Sequence, residues 1–324
     1  MRKKLNEFLS PRKLEELGSP ANVLFNIFLE FCRRNERVPI LNGLVILLSR
    51  TAWGNIGKSK MRQLVSVLPP TNPLFTSLDR PGVAVSIPVH RKDVWKLPLV
   101  VEGIYKTCQN PIVTFDIWTA KENLNLPEVK ELSKTVRVID ERELLNVEIS
   151  HAIGSFPKKR QGWITQQILK IRSVLWNQCE FTLISDADTV QLESRTWCNS
   201  DTRQLLLVAN EFHEPYLRHN IKFNNLSFPL SFVTHHQLMQ KTVIERIFTD
   251  DTLGIVSWIR SASANEPSAL SEYNTYGVWL CRSNLDSVKF AKWNNLEVNR
   301  KDFDKPYQEL LKLYGKFASI SCHN

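Results

Sequence analysis

Two aspartates one residue apart follow an apolar run near the middle of the chain. In "FTLISDADTV" (residues 181–190) the apolar run predicts a strand, and Asp186 and Asp188 come at its end. Two hard oxygen ligands at a fixed separation suit Mg²⁺ or Mn²⁺, and such an ion offsets the charge that builds on a departing diphosphate. The alternative is a turn with two solvated carboxylates. The triplet alone is weak evidence, because Asp302 and Asp304 repeat it with no preceding strand, where we expect a solvated loop.

A second candidate is the histidine pair in "THHQLMQK" (residues 234–241). Neighbouring residues on a strand point to opposite faces of the sheet, so we expect at most one of His235 and His236 to face a site. That histidine would be a further metal ligand or would contact a phosphate. The alternative is a packed histidine that serves the core.

A third candidate is Glu272 in "SEYNTYG" (residues 271–277). A carboxylate among polar and aromatic residues can act as a base or bind an acceptor hydroxyl, and Tyr273 or Tyr276 can stack on a sugar ring. The alternative is a helix start, with Ser271 as its cap and Glu272 favoured by the helix dipole.

Two stretches that each contain a lysine are candidate phosphate sites. "GWITQQILK" (162–170) predicts a helix on which Gln166 and Lys170 share a face, with Gln167 one position round. A lysine aimed at the sheet edge would neutralise a phosphate, although an exposed lysine is the alternative. "AWGNIGKS" (52–59) matches a loose P-loop pattern. It lacks the first glycine and has no long helix after it, so a basic turn between helices is the better interpretation.

The elements that must position these residues follow from the pattern after residue 81. Short strand-like runs at 82–89, 111–119, 134–140 and 180–188 alternate with helix-like stretches at 94–108 and 162–176. Strands alternating with helices indicate β-α-β units, an α/β fold and a mostly parallel central sheet flanked by helices. Ligands of such sheets bind at the carboxyl ends of the strands, which is where Asp186 and Asp188 fall.

The N-terminal quarter is different in composition. Its patterning predicts helices, and a polar, proline-containing linker follows at 71–82. The chain of 324 residues carries a formal charge of +9, and residues 1–80 hold 13 Lys and Arg against 6 Asp and Glu. We therefore expect a basic helical extension over 1–80 and an α/β domain over 81–324. Such a basic face can contact an anionic membrane or nucleic acid, or be merely solvated.

Localisation is predicted from what the sequence lacks. It has no apolar segment typical of a signal peptide or a membrane span, and its six cysteines form no C-x-x-C pair. These features predict a cytoplasmic protein with unpaired thiols.

Taken together, the blocks resemble the GT-A class of nucleotide-sugar glycosyltransferases. They are most similar to a bacterial family of glycosyltransferase-like proteins whose function is largely undescribed. The family's blocks appear here in order, across roughly residues 82–285, as "SIPVHRKD", "GWITQQILK", "SDADTV", "THHQLM" and "SEYNTYG". The order and spacing of five blocks are more specific than any one of them.

The resemblance implies a GT-A-like, Rossmann-like nucleotide half, an acceptor-binding half and a role for each block. It implies Mn²⁺ or Mg²⁺ as cofactor and Glu272 as the catalytic carboxylate: the base if the reaction inverts configuration, or a group that positions the acceptor if it retains it. The remaining assignments are metal ligands Asp186, Asp188 and His236; donor contacts Pro88, His90, Asp93, Gln166, Gln167, Lys170 and Asp186; and acceptor contacts His235, Tyr273 and Tyr276.

The resulting hypothesis is a metal-dependent glycosyltransferase that moves a sugar from a nucleotide-sugar donor to a hydroxyl of a glycan or lipid-linked acceptor, in surface polysaccharide or glycan synthesis. Residues 1–80 would hold it at the inner face of the membrane. One rival is a nucleotidyltransferase or phosphotransferase that uses the same carboxylate pair. The other is a non-enzymatic basic module that docks on a membrane or on nucleic acid. Against nucleic acid, the sheet region has no run of basic and aromatic residues.

Overall fold

The computed structural model describes residues 79–200, 203–211, 213–228, 230–249, 251–266 and 268–323. The predicted N-terminal helices, most of the predicted linker and the P-loop-like stretch at 52–59 lie outside these ranges. Within them, no helix is long and apolar enough to cross a membrane. The five cysteines of the described part form no disulfide with one another.

Strands and helices alternate through the first half of the described chain, as the sequence pattern predicts. The strands are β1 (Val83–Val89), β2 (Ile112–Thr119), β3 (Arg137–Asp140), β4 (Phe181–Ser185), β5 (Thr189–Gln191), β6 (Gln204–Val208), β7 (His236–Gln240), β8 (Val288–Lys292), β9 (Asn295–Glu297) and β10 (Ser319–Ser321). The helices are α1 (Leu97–Thr107), α2 (Pro127–Leu132), α3 (Val147–Gly154), α4 (Lys158–Trp176), α5 (Glu214–Asn224), α6 (Lys241–Ile247), α7 (Asp251–Ser261), α8 (Glu272–Ser283), α9 (Arg300–Phe303) and α10 (Tyr307–Tyr314).

The central sheet has five strands in the order β3-β2-β1-β4-β7. Strands β1 to β4 are parallel to one another, and β7 runs antiparallel to β4. The predicted α/β fold with a mostly parallel central sheet is therefore confirmed. Two small sheets, β5-β10-β9 and β6-β8, accompany it. Because β1 to β4 are parallel, their carboxyl ends meet at one edge of the sheet.

The side chains of the central strands divide between two apolar layers. Val85 and Leu183 belong to one buried cluster, and Ile184 and Met239 belong to the other. Adjacent residues point to opposite faces of a strand, so a sheet buried on both sides needs apolar side chains at successive positions. This explains why β1 and β4 have near-continuous apolar runs.

Two local predictions need correction. The helix expected over 94–108 begins as a 3-10 helix, Arg91–Lys96, and becomes α-helical only at Leu97–Thr107. Asp302 and Asp304 lie in and at the end of α9 rather than in a loop, because Asn299 accepts a hydrogen bond from the Asp302 backbone amide and caps a short helix there.

The buried His219 predicts how stability depends on pH. Burial lowers the pKa of His219 to about 4, whereas its ordinary value is 6.5. The unfolded chain therefore binds the proton more readily, so the stability that neutral His219 contributes is complete above pH 6.5 and is lost as the pH falls towards 4. The full loss corresponds to about 3 kcal/mol.

The measurement is urea unfolding of the wild type and of His219→Gln at about pH 7 and about pH 4.5. Glutamine can still donate to the Trp258 carbonyl, which the imidazole contacts at 2.9 Å, but it does not titrate. We expect the variant to lose less of its free energy of unfolding on acidification. An equal loss in both proteins would contradict this account.

Candidate active site

A cavity of about 800 Å³ opens at the carboxyl ends of the parallel strands. Its walls include the residues that directly follow β1, β2, β3 and β4, which is where open α/β sheets bind ligands. Most predicted site residues line it: Pro88, His90, Asp93, Gln166, Gln167, Lys170, Asp186, Asp188, His235, Glu272 and Tyr273.

Asp186, Asp188 and His235 form a group that could hold a metal ion. One ligand atom from each lies within 4.8 Å of the others. The backbone explains the grouping, because His235 has a left-handed conformation (φ 57°) just before β7, and its carbonyl accepts a hydrogen bond from the Asp186 amide at 2.7 Å. Two carboxylates and an imidazole are a donor set that suits Mn²⁺, and the carboxylates also suit Mg²⁺.

His236, the histidine predicted as the metal ligand, lies elsewhere. It is fully buried, its ring packs edge-on to Trp197 with 5.8 Å between centroids, and burial holds its pKa well below the ordinary value. Neither ring nitrogen has a hydrogen-bond partner within the described part of the chain. The positions of the two histidines are therefore the reverse of those that their predicted roles need. His235, predicted as an acceptor contact, lies beside the aspartates, and His236, predicted as a metal ligand, does not. Only His235 of the two lines the cavity, as expected, although it lies in the left-handed turn before β7 and not on the strand.

Lys170 joins the aspartate end of the cavity to Glu272. Its ammonium lies 2.5 Å from an Asp186 oxygen and 2.7 Å from Glu272 Oε1, and 4.3 Å from the centre of the Tyr273 ring. Burial alone would lower the pKa of Lys170, but the two carboxylates raise it above the ordinary value, so the side chain stays charged. The contact of Lys170 with donor phosphate stays a prediction; in this structure the lysine is buried and neutralised by two carboxylates.

Within the described residues, one carboxylate oxygen of Glu272 is in an ion pair and the other has no hydrogen-bond partner. Glu272 is only 2% exposed, Oε1 accepts from Lys170, and Oε2 has no hydrogen-bond partner among the residues that the structure describes. Burial raises its pKa, against the opposing effect of Lys170. The alternative interpretation of this stretch is also correct, since Ser271 caps α8 and Glu272 is its first residue. The helix start is what presents the carboxylate to the cavity.

The two tyrosines of the same block have different surroundings. The Tyr273 hydroxyl donates to an Asp186 oxygen at 3.0 Å and lines the cavity. The Tyr276 hydroxyl instead lies between the Gln204 side chain and the Gln240 backbone amide, at 2.8 Å and 2.9 Å, and is absent from the cavity wall. Tyr276 thus holds β6 and β7 together, and its predicted acceptor contact finds no support in this placement.

The predicted donor residues after β1 form a short capped turn. The His90 ring accepts a hydrogen bond from the Lys92 amide at the start of the 3-10 helix. Asp93 pairs with the buried Lys96, which also donates to the Cys322 carbonyl at 2.7 Å. This second bond ties the last described residues of the chain to the edge of the site.

His323 is a site residue that sequence reasoning missed. The Cys322 amide donates to the Asp188 carbonyl at 3.0 Å, and the His323 ring lies 3.2 Å from Asp188 Oδ2. Burial alone would raise the pKa of Asp188, but its hydrogen bond with His323 helps hold that pKa below the ordinary value. The sequence carried no signal for this contact, because 135 residues separate the two and a single histidine in "SCHN" matches no motif.

The charges of the cavity wall do not match a diphosphate by themselves. Among the residues that the structure describes, seven carboxylate side chains line it, against three lysine and arginine side chains, one of which is the neutralised Lys170. A nucleoside diphosphate would meet net negative charge unless a divalent cation accompanied it. The lining carboxylates are Asp93, Glu122, Glu141, Asp186, Asp188, Glu211 and Glu272; the lining cations are Arg91, Lys92 and Lys170.

Comparison with known proteins gives only distant likenesses. No protein-family model matches the sequence, and no curated protein matches it. The chain is similar to the solved structure of mouse xyloside xylosyltransferase 1 in its apo form, with 9% identity, a TM-score of 0.41, and coverage of 75% of this chain and 97% of that one.

It is also similar to the galactosyltransferase LgtC in complex with donor and acceptor sugar analogs, with 12% identity, a TM-score of 0.40, and coverage of 75% and 87%. An active-site mutant of LgtC gives 12% identity, a TM-score of 0.42, and coverage of 75% and 88%. All three scores are low, so the function proposed below depends on the side chains of the site.

Proposed function

We propose that this protein is a divalent-cation-dependent glycosyltransferase that uses a nucleotide-sugar donor. The observation that carries the proposal is the convergence of Asp186, Asp188 and His235 with the buried Lys170–Glu272 pair in one cavity at the strand ends. The carboxylate pair and the histidine have the oxygen and nitrogen atoms that Mn²⁺ needs. The excess of carboxylates in the cavity wall supports a requirement for that cation when a diphosphate binds.

The described residues support different roles for different parts of the cavity. Asp186, Asp188 and His235 would hold Mn²⁺ or Mg²⁺, and such an ion supplies positive charge to a leaving diphosphate. Lys170 fixes the Asp186 and Glu272 carboxylates relative to each other. Because Oε1 of Glu272 is held by Lys170, Oε2 is the atom that would accept the proton of an acceptor hydroxyl.

The setting of the reaction rests on sequence alone. A glycan or lipid-linked acceptor, a role in surface polysaccharide synthesis and a cytoplasmic location all remain predictions. Membrane contact through residues 1–80 also remains a prediction, since residues 1–78 lie outside the described part of the chain.

The deciding experiment is a screen of UDP-, GDP- and CMP-sugars for donor hydrolysis, with Mn²⁺ and with EDTA. We expect turnover of at least one nucleotide sugar with Mn²⁺ and its loss in EDTA. Turnover that is indifferent to EDTA would remove the cation from the proposal. Consumption of nucleoside triphosphates with release of pyrophosphate or phosphate, and no turnover of any nucleotide sugar, would favour a nucleotidyltransferase or phosphotransferase instead.

A further inference from the structure

One end of the cavity combines the free oxygen of Glu272 with two further groups. Tyr216 on α5 and Glu211 after β6 also line the cavity. Burial, aided by the charges of Glu211 and Glu272, raises the pKa of the Tyr216 hydroxyl to about 12. We call Glu211, Tyr216 and Glu272 the acidic end.

The acidic end contains a buried carboxylate oxygen that a hydrogen-bond donor from outside the protein would satisfy. Glu272 is nearly completely buried, and its Oε2 atom has no partner within the described ranges. A buried carboxylate oxygen without a partner is costly, and a bound hydroxyl or ammonium group would satisfy it. Acceptor hydroxyl groups are donors of this kind.

Among the lysine and arginine residues of the cavity wall that the structure describes, none is left unpaired at the acidic end for an anionic ligand. Lys170 lies against Glu272, but it is already paired with both Asp186 and Glu272. The other lysine and arginine residues of the cavity wall, Arg91 and Lys92, follow β1 and belong to the 3-10 helix at its end. A carboxylate or phosphate placed beside Glu211 and Glu272 would therefore meet like charge without compensation.

We propose that the acidic end is the acceptor subsite, and that it selects a neutral or amine-bearing sugar and rejects sugars with an anionic group near the reacting hydroxyl. This inference rests on the proposed glycosyl transfer and specifies its acceptor. In the reaction, the acceptor oxygen forms a bond to the anomeric carbon of the donor, and the bond from that carbon to the diphosphate oxygen breaks. The electron pair of the broken bond leaves with the diphosphate, and the hydroxyl proton moves to Glu272 Oε2.

The test compares three acceptors that differ in one group: methyl β-glucoside, methyl β-glucosaminide and methyl β-glucuronide, each at the same concentration. The full chain is supplied with Mn²⁺ and the nucleotide sugar that it hydrolyses. We expect the glucoside and the glucosaminide to give glycosylated product at least about tenfold faster than the glucuronide. Saturation-transfer NMR with Mg²⁺ and the matching nucleoside diphosphate measures binding of the same three sugars independently of turnover.

Charge reversal at Glu211 makes the test specific to this end of the cavity. Glu211 is exposed, so its replacement should leave the fold intact, and we expect Glu211→Lys to reduce or reverse the discrimination against the glucuronide. Glu148→Lys is the matched control, because Glu148 is exposed on α3 and does not line the cavity.

Three outcomes would overturn the inference while donor hydrolysis continues: glucuronide used as well as glucoside, no sugar bound or used, or unchanged discrimination in Glu211→Lys. Absence of any nucleotide-sugar turnover would instead overturn the proposed function.

Discussion

Asp188→Asn should abolish Mn²⁺-dependent binding of nucleoside diphosphate and lower donor hydrolysis by at least about 100-fold. Asparagine has nearly the same shape, so the change removes one negative charge and one anionic oxygen from the group formed with Asp186 and His235. The cavity wall carries an excess of carboxylates, so in the proposed function a diphosphate binds there together with a cation. A weaker cation site should therefore weaken nucleotide binding as well as turnover.

The chain contains its own control for this change. Asp304 belongs to the second D-x-D triplet, is exposed, and is absent from the cavity wall. Asp304→Asn should leave binding and turnover as in the wild type. Mn²⁺ binding is measured by electron paramagnetic resonance, and nucleotide binding by calorimetry with and without Mn²⁺. Equal Mn²⁺ affinity in Asp188→Asn and Asp304→Asn would show that Asp188 is not a cation ligand.

Lys170→Met is expected to be the most destabilising of the substitutions considered, costing about 3–5 kcal/mol of the free energy of unfolding. Methionine fills a similar volume but leaves the Asp186 and Glu272 carboxylates, both within 2.7 Å of the ammonium, without their shared cation. Glu272 is almost fully buried, so its charge has little access to water. Donor hydrolysis should fall too, because the two carboxylates lose the group that fixes their separation.

Lys106→Met is the matched control for Lys170→Met. Lys106 pairs with Glu102 at 2.7 Å, but both side chains are substantially exposed, and such pairs contribute less than about 1 kcal/mol. Denaturant unfolding of both variants gives the comparison. The double variant Lys170→Met/Glu272→Gln should recover part of the lost stability, since it removes one of the two uncompensated charges. Similar losses for Lys170→Met and Lys106→Met would contradict a buried ionic role for Lys170.

Much of the site was predictable because local patterns encode strand ends and helix starts. An apolar run followed by Asp186 and Asp188 had to deliver both carboxylates to a sheet edge once the sheet was parallel. Ser271 before Glu272 specified the start of α8, and that start places the carboxylate in the cavity wall. In both cases the deciding interactions lie within a few residues of the site residue.

The predicted roles that the placement of the side chains does not support concern residues whose surroundings depend on contacts distant in the chain. Whether His235 or His236 faces the aspartates depends on the left-handed turn at His235 and on its pairing with Asp186. The sequence around Lys170 is compatible with an exposed lysine or a phosphate-binding lysine. Only the position of α8 shows that Glu272 is its partner. Tyr276 is predicted to contact an acceptor because it shares a sequence block with Glu272 and Tyr273. Its hydroxyl instead forms hydrogen bonds with residues of β6 and β7.

By itself, the sequence determined the fold class and the edge of the sheet at which chemistry can occur, because apolar periodicity and strand-end carboxylates are local properties. Only the tertiary structure decided which histidine joins the aspartates, that Lys170 is a buried partner of two carboxylates, and that His323 reaches Asp188. The physical reason is that the charge and accessibility of a side chain depend on the groups packed around it. At this site, Lys170 and Glu272 are 102 residues apart in the chain, and Asp188 and His323 are 135 residues apart.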